Sequence, residues 1–377
     1  MSARVGVVTL NFGEPARADH ADVVAFLERI FSLNAGLENA EGEAARRRSR
    51  QLAEQRAPGL VEEYRAIGGS PMNAQADAHA AALERTLRAR GYDARVYSAF
   101  QFTDPLPDEI IAGARADGIE RLIALPVYPL CGPSTTIAAL AALRDAVGRA
   151  GWDVRVDEIS GWHPHPDYVR LRADGIVATV RDAGIRPGEP RATLVFSAHG
   201  TPLKYLREGS RYDRYVEENC AQVAAAAGWR DYVIGWQNHT NRPLEWTQPD
   251  IRDVIDSLDG DAVIVVPISF MHEQSETLAE LDHELREAAE GRGLAFHRVR
   301  VPHEDPRFIE LLADLCEPLL ARTTVQTGTA GTFSGAQVPA APVRVRCDAR
   351  DVPHARSAYQ ACLCRGRRGA VCLNGQP

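Results

Sequence analysis

Three turns between an apolar run and a helical pattern carry residue types that acid–base and metal chemistry require. The first is Leu194-Val-Phe-Ser-Ala-His199-Gly200-Thr-Pro202. The apolar run delivers an imidazole to its end, and Gly200 lets the backbone turn tightly. An imidazole there accepts protons near neutral pH and can bind a metal ion; a hydrogen-bonded structural histidine is the plainer alternative. The second is Met271-His-Glu273-Gln-Ser-Glu276-Thr-Leu-Ala-Glu280. Spacings of three and four predict one helical face for Glu273, Glu276 and Glu280, which Glu284 and Glu287 extend. Such a row repels itself by only roughly 0.2–0.5 kcal/mol per pair in water, so an exposed face tolerates it. At a strand mouth the same row attracts a divalent cation and relays protons. His272 and His283 flank it and, taken singly, read as surface residues. The third is Thr9-Leu-Asn11-Phe12-Gly13-Glu-Pro15 with Ile67-Gly68-Gly69-Ser70-Pro71. Paired glycines before a helix can hold an anion, or simply turn the chain. No glycine-rich phosphate loop follows any predicted strand, so nucleotide binding is not predicted.

The elements that must position these turns alternate along the chain, short apolar runs with amphipathic stretches, as in an α/β protein with parallel sheets. Predicted strands are 4–10, 94–100, 121–126, 154–159, 192–197, 232–236 and 262–268. Predicted helices are 21–31, 73–90, 107–116, 137–150, 167–182, 211–227, 250–258, 276–290 and 306–321. One internal repeat stands out. Leu122 to Leu140 aligns without a gap on Val263 to Leu281, matching Pro126 with Pro267, Ser134 with Ser275 and Thr136 with Thr277. The repeat predicts two doubly wound lobes, residues 1–155 and 156–322. Ligands of open α/β sheets bind at the carboxyl ends of the strands, where all three turns fall.

Residues 323–342 are small and polar with Gly and Pro, and read as a linker. The tail 343–377 carries Cys347, Cys362, Cys364 and Cys372, enough thiolates for one zinc or iron–sulfur centre, with a disulfide pair as the third option. It also bears seven arginines against Asp348 and Asp351, a basic surface for anionic lipid or for the acidic body. The whole chain has 377 residues and net charge −8, which argues against general nucleic-acid binding. No stretch approaches the ~20 apolar residues that span a bilayer, and no export signal is read, so the expected location is the cytoplasm. Cys220 and Cys316 fall in helical patterns and read as ordinary buried residues.

Taken together, these segments resemble the ferrochelatases, enzymes that insert ferrous iron into a porphyrin late in haem synthesis. The carriers are Leu10–Pro15 (LNFGEP), Ile67–Pro71 (IGGSP), Pro126–Pro129 (PVYP) with Ser134-Thr-Thr136, Ser197–Gly200 (SAHG), and Pro267–Phe270 (PISF) with Ser275–Asp282 (SETLAELD). The resemblance implies two Rossmann-like lobes with a cleft between them. It implies that His199 accepts a pyrrole proton or handles the metal, that Glu276 is the essential glutamate, and that Glu273 and Glu280 form an acidic path outward. The porphyrin is expected against Phe12, Tyr128 and Trp246, with Asn11, Ser134 and Thr135 beside it and Arg56 meeting a propionate. Cluster-bearing members take one ligand from the turn before Ser134, where this chain has Pro133, with Cys131 two residues away. The expected cofactor is therefore a 2Fe–2S cluster on Cys347, Cys362, Cys364 and Cys372, with Cys131 in place of Cys347 as the alternative; zinc or an empty tail stays open. Many members carry histidine where this chain has Gln274. Expected partners are Fe²⁺ and the porphyrin, protoporphyrin IX or coproporphyrin III, with contact to a membrane surface or another haem-pathway enzyme through the tail. Two other readings remain: a cobalt or nickel chelatase of a related tetrapyrrole pathway, which relies on paired histidines, and a tetrapyrrole-binding or iron-sensing protein without turnover.

Overall fold

Three strands are buried at every position: β1 (Val5–Asn11), the strand Arg121–Pro126 and the strand Ala262–Pro267. A strand covered on both faces needs a continuous apolar run instead of alternation, the mark of a parallel sheet clad by helices. The computed structural model describes residues 4–34, 42–189, 191–238, 244–321 and 371–372.

After β1 come α1 (His20–Asn34), α2 (Gly42–Ala66), α3 (Met72–Ala89), β2 (Ala94–Phe100), α4 (Pro107–Ala116), β3 (Arg121–Pro126), a π-helical turn (Pro133–Ile137), α5 (Ala138–Arg149) and β4 (Arg155–Ser160). The second half runs through α6 (Pro166–Asp182), β5 (Ala192–His199), α7 (Leu203–Arg207), α8 (Tyr212–Ala226), β6 (Val233–Gln237), α9 (Ile251–Ser257) and β7 (Ala262–Pro267). It continues with a π-helix (Glu276–Leu285), α10 (Arg286–Gly291), β8 (Ala295–Arg298) and α11 (Pro306–Leu320); β9 (Val371–Cys372) follows far along the chain. The sheets are parallel throughout, ordered β2-β1-β3-β4-β9 and β6-β5-β7-β8.

Matching β1–β4 with β5–β8 makes the two orders the same, and the repeat in the sequence falls on β3 and β7 with the π-helical segments that follow them. Thr136 and Thr277, paired by the repeat, are both fully buried and bond the turn before them: the Thr136 hydroxyl donates to the Leu130 carbonyl at 3.3 Å, and the Thr277 hydroxyl accepts from the Gln274 N–H at 3.0 Å. The lobes are not beads on a string. One apolar cluster joins Val8, Leu10 and Leu122 of the first sheet to Leu194, Phe196 and Ile264 of the second.

Three features differ from expectation. The helix Gly42–Ala66 was not predicted, because Pro58 and Gly59 interrupt its pattern and its buried stripe is made mostly of small residues. The stripe, Ala45, Ser49, Ala53, Ala57, Val61 and Tyr64, belongs to a helix that packs on α1. Strand β8, four residues long, was too short to read. The expected division at 155/156 falls at the start of β4, which belongs to the first sheet, and α11 packs back on that lobe against Val5, Leu83 and Ile123.

Candidate active site

The carboxyl ends of β1, β3, β5 and β7 open into one cleft of about 1780 Å³, part of it open solvent. His199 is the last residue of β5. A side chain at position 200 would collide with Asn238 and stand 2.8 Å from the Gln237 carbonyl, so only glycine lets the chain leave β5 this closely. The His199 backbone N–H donates to Ser269 Oγ at 3.0 Å. Its ring Nδ1 lies 2.7 Å from the Gly200 carbonyl, an acceptor only, so Nδ1 carries a hydrogen. In the neutral ring Nε2 is therefore the basic atom, and it stands 3.4 Å from Glu276 Oε1. Burial opposes charge on this ring, but the hydrogen bond and charge of Glu276 outweigh it and raise its pKa.

Glu276 opens the π-helix, about nine-tenths buried, and receives a hydrogen bond from Gln274 Nε2. Gln237 Nε2 ties the Glu276 carbonyl and the Glu280 carboxylate together, both at 3.0 Å. Burial, then the charge of Glu276, pushes the Glu280 pKa up to about 8. The π-helical pitch keeps Glu276 and Glu280 on the cleft side, whereas Glu284 is exposed and bonds Arg252.

The other expected residues gather here. Asn11, Phe12, Arg56, Tyr128, Ser134, Thr135 and Trp246 all line the cleft. Phe12 packs edge-on against Phe102 with centroids 4.7 Å apart, and Arg56 stands exposed at the rim on α2. Tyr128 donates its hydroxyl to Gln101 at 2.7 Å. Asn11 is 2 % exposed, and neither end of its side-chain amide has a hydrogen-bond partner.

Glu273 does not join them. Its carboxylate pairs with Arg298 of β8 at 3.0 Å and accepts from Thr277 Oγ1 at 2.7 Å, away from the cleft. The regular spacing misled because residue 273 precedes the helix and its cation comes from an unpredicted strand. His272, expected at the surface, is 3 % exposed in the cleft wall, while His283 is exposed as expected. His79 Nε2 lies 2.7 Å from the His303 carbonyl and so bears hydrogen; in the neutral pair His272 Nε2 then donates to His79 Nδ1 at 3.1 Å. Burial drives both pKa values down. Cys220 and Cys316 are fully buried, as expected.

Glu14 was missed. It lines the cleft at 2 % exposure and accepts hydrogen bonds from Tyr64, Ser70 and Ser275. A second short repeat could have found it: Asn11-Phe12-Gly13-Glu14-Pro15 leads out of β1 as Ala198-His199-Gly200-Thr201-Pro202 leads out of β5, with Gly and Pro in matching places.

Among the described residues, no group of three or more His, Cys, Asp or Glu side chains is disposed to hold a metal ion. Cys347, Cys362 and Cys364 lie outside the described residues. Cys372 falls in β9, whose backbone pairs with Ile159 and Ser160 at the end of β4.

Related sequences match this chain over most of their length. A ferrochelatase of Synechococcus sp. RCC307 is 34 % identical over 342 residues, covering 88 % of this chain and 86 % of that protein. A ferrochelatase of Synechococcus elongatus is 33 % identical over 326 residues, covering 84 % and 83 %. Among solved structures, SirB from Bacillus subtilis with Fe³⁺ has the same fold, with a TM-score of 0.51 at 10 % identity over 85 % of this chain and 97 % of SirB. The family profile named Ferrochelatase matches residues 4–319, so with two lobes, one cleft and these relatives the chain belongs to the ferrochelatase family.

Proposed function

We infer that this enzyme inserts Fe²⁺ into a porphyrin for haem synthesis, with His199 and Glu276 at the reacting centre. The carrying observation is the His199–Glu276 pair, 3.4 Å apart at the mouth of β5, facing a cleft walled by aromatic and aliphatic side chains. A free-base porphyrin holds two N–H protons; as Fe²⁺ binds the four nitrogens both leave, and the ring becomes a neutral metal complex. Bending the flat macrocycle exposes its lone pairs, which a cleft with a shaped wall can favour. His199 Nε2, on the cleft wall, takes a pyrrole proton, and Glu276 compensates the imidazolium that forms and attracts the incoming cation. Glu280, which holds a proton near neutral pH, is the next group along the wall and suits the relay of that proton outward. Phe12, Tyr128 and Trp246 offer faces to the disc. Asn11 presents an unsatisfied amide to it, Ser134 and Thr135 supply hydroxyls, and Arg56 at the rim is placed for a propionate. Glu273 serves instead to anchor Arg298.

A 2Fe–2S cluster suits the donor chemistry of the tail, whose four cysteines supply thiolates. The backbone of β9 favours Cys131 in place of Cys347. It sets Cys372 opposite Ser160, and three residues on, the His163 N–H donates to the Pro129 carbonyl at 3.0 Å, in the turn that carries buried Cys131. A cluster bound there would supply one-electron redox chemistry and a covalent clamp on the tail. Among the described residues no helix is long and apolar enough to cross a membrane; we place the enzyme in the cytoplasm, with the basic tail available to a membrane surface.

The test is anaerobic incubation of the purified protein with Fe²⁺ and, separately, protoporphyrin IX or coproporphyrin III. The free-base absorption of one of them converts to that of its iron complex; persistence of both free-base spectra refutes the activity.

A further inference from the structure

Glu14 is a buried carboxylate to which insertion, as described, assigns no task. Among the described residues no arginine or lysine bonds it, and every partner is a neutral donor. Tyr64 of α2 donates its hydroxyl at 2.9 Å, and Ser70 donates from the turn before α3. From the opposite lobe Ser275 donates twice, its Oγ at 2.5 Å and its backbone N–H at 3.1 Å. Asn73 fixes the Glu14 backbone on both sides, accepting from its N–H and donating to its carbonyl, each at 2.9 Å. Keeping a carboxylate from water without a cation is costly unless such donors compensate it.

The cost coincides with the residue that matters most. Ser275 immediately precedes Glu276, and at that position its hydroxyl would ordinarily cap the helix. It makes no cap bond, because the hydroxyl goes to Glu14. Within the second lobe, Gln274 and Gln237 hold Glu276 by its carboxylate and its carbonyl. Glu14 reaches the same short segment from the first lobe, and through Tyr64 it is joined to α2, the wall that also carries Arg56 and Leu60. We propose that Glu14 is the positioning residue for Glu276: a buried carboxylate of the first lobe that grips Ser275 of the second and so fixes the insertion carboxylate relative to the wall on which the porphyrin rests. This rests on the reading of Glu276 given above. Displacement of a reacting group by about an ångström costs roughly a hundredfold in rate, so a grip on the preceding residue acts on kcat.

The experiment compares full-length E14A, E14Q, S275A, E14A/S275A and E276Q for Fe²⁺ insertion without oxygen, porphyrin binding by fluorescence, and thermal midpoint. E276Q loses insertion. E14A lowers kcat by roughly tenfold or more while the porphyrin Kd stays within about twofold, S275A shows a smaller loss in the same sense, and the double variant is no worse than E14A. If E14A does not fold, E14Q and S275A decide by the same split. Wild-type kcat in E14Q and S275A beside an inactive E276Q overturns the role of Glu14 alone. Parallel losses of kcat, porphyrin affinity and thermal midpoint also overturn it, since they describe a clamp between lobes. An active E276Q removes the reading of Glu276 on which the proposal stands.

Discussion

At the scale of residues, a backbone carbonyl fixes the tautomer of one imidazole. The Gly200 oxygen claims the hydrogen of Nδ1, and this leaves Nε2 of His199 to face Glu276. Both residues were legible in the sequence because each stands where an apolar run meets a turn, and an open sheet places ligands there. Glu273 was not, because spacings of three and four imply a shared face only inside a helix, and the helix begins at Glu276. Glu14 was overlooked because its partners, Tyr64 and Ser275, come from a helix and a lobe that the local pattern does not connect. Glu280 carries a pH prediction. Its ordinary pKa is 4.5 and the fold raises it to about 8, so between these values the native state keeps a proton that the unfolded chain has released. Stability therefore declines as pH rises through that window. E280Q has no such proton, and its amide oxygen can still accept from Gln237. It should lose less stability than wild type between about pH 4.5 and 8, as read by denaturant midpoints; parallel curves contradict the assignment.

At the scale of elements, the gapless match of residues 122–140 with 263–281 anticipated the deepest regularity of the fold, two sheets of one strand order with a π-helical start after the third strand of each. Strands buried on both faces are easy to read because nothing polar interrupts them. The helix α2 was hard to read because close packing on α1 requires Ala and Ser at four-residue spacing, which lowers the apolar contrast, and Pro58 breaks the pattern. Pro58 lies inside this helix with its surface exposed, so it removes a helical hydrogen bond and no packing compensates. P58A should raise stability by about 1–3 kcal/mol after allowance for a freer unfolded chain, measured by denaturant unfolding. Destabilisation would show that the kink itself is needed for the cleft wall.

At the scale of the whole molecule, the lobes share one apolar cluster, and the cleft is the gap left where their strand mouths meet. That cleft brings ten of the eleven residues expected in the body around one space, from elements nearly 270 residues apart in the chain, as Asn11 and Glu280 are. The tail enters through β9, which extends the first sheet beside β4. Anaerobically purified wild type should contain iron and acid-labile sulfide in equal amounts, and C131S should lose both; zinc alone, or retention of the cluster in C131S, counters the ligand choice. The most direct test of the central claim separates binding from chemistry in H199A and E276Q. Both variants should bind porphyrin with affinity near wild type, because the cleft walls remain, and both should lose Fe²⁺ insertion by roughly a hundredfold or more in kcat. Wild-type insertion in either variant would contradict the account.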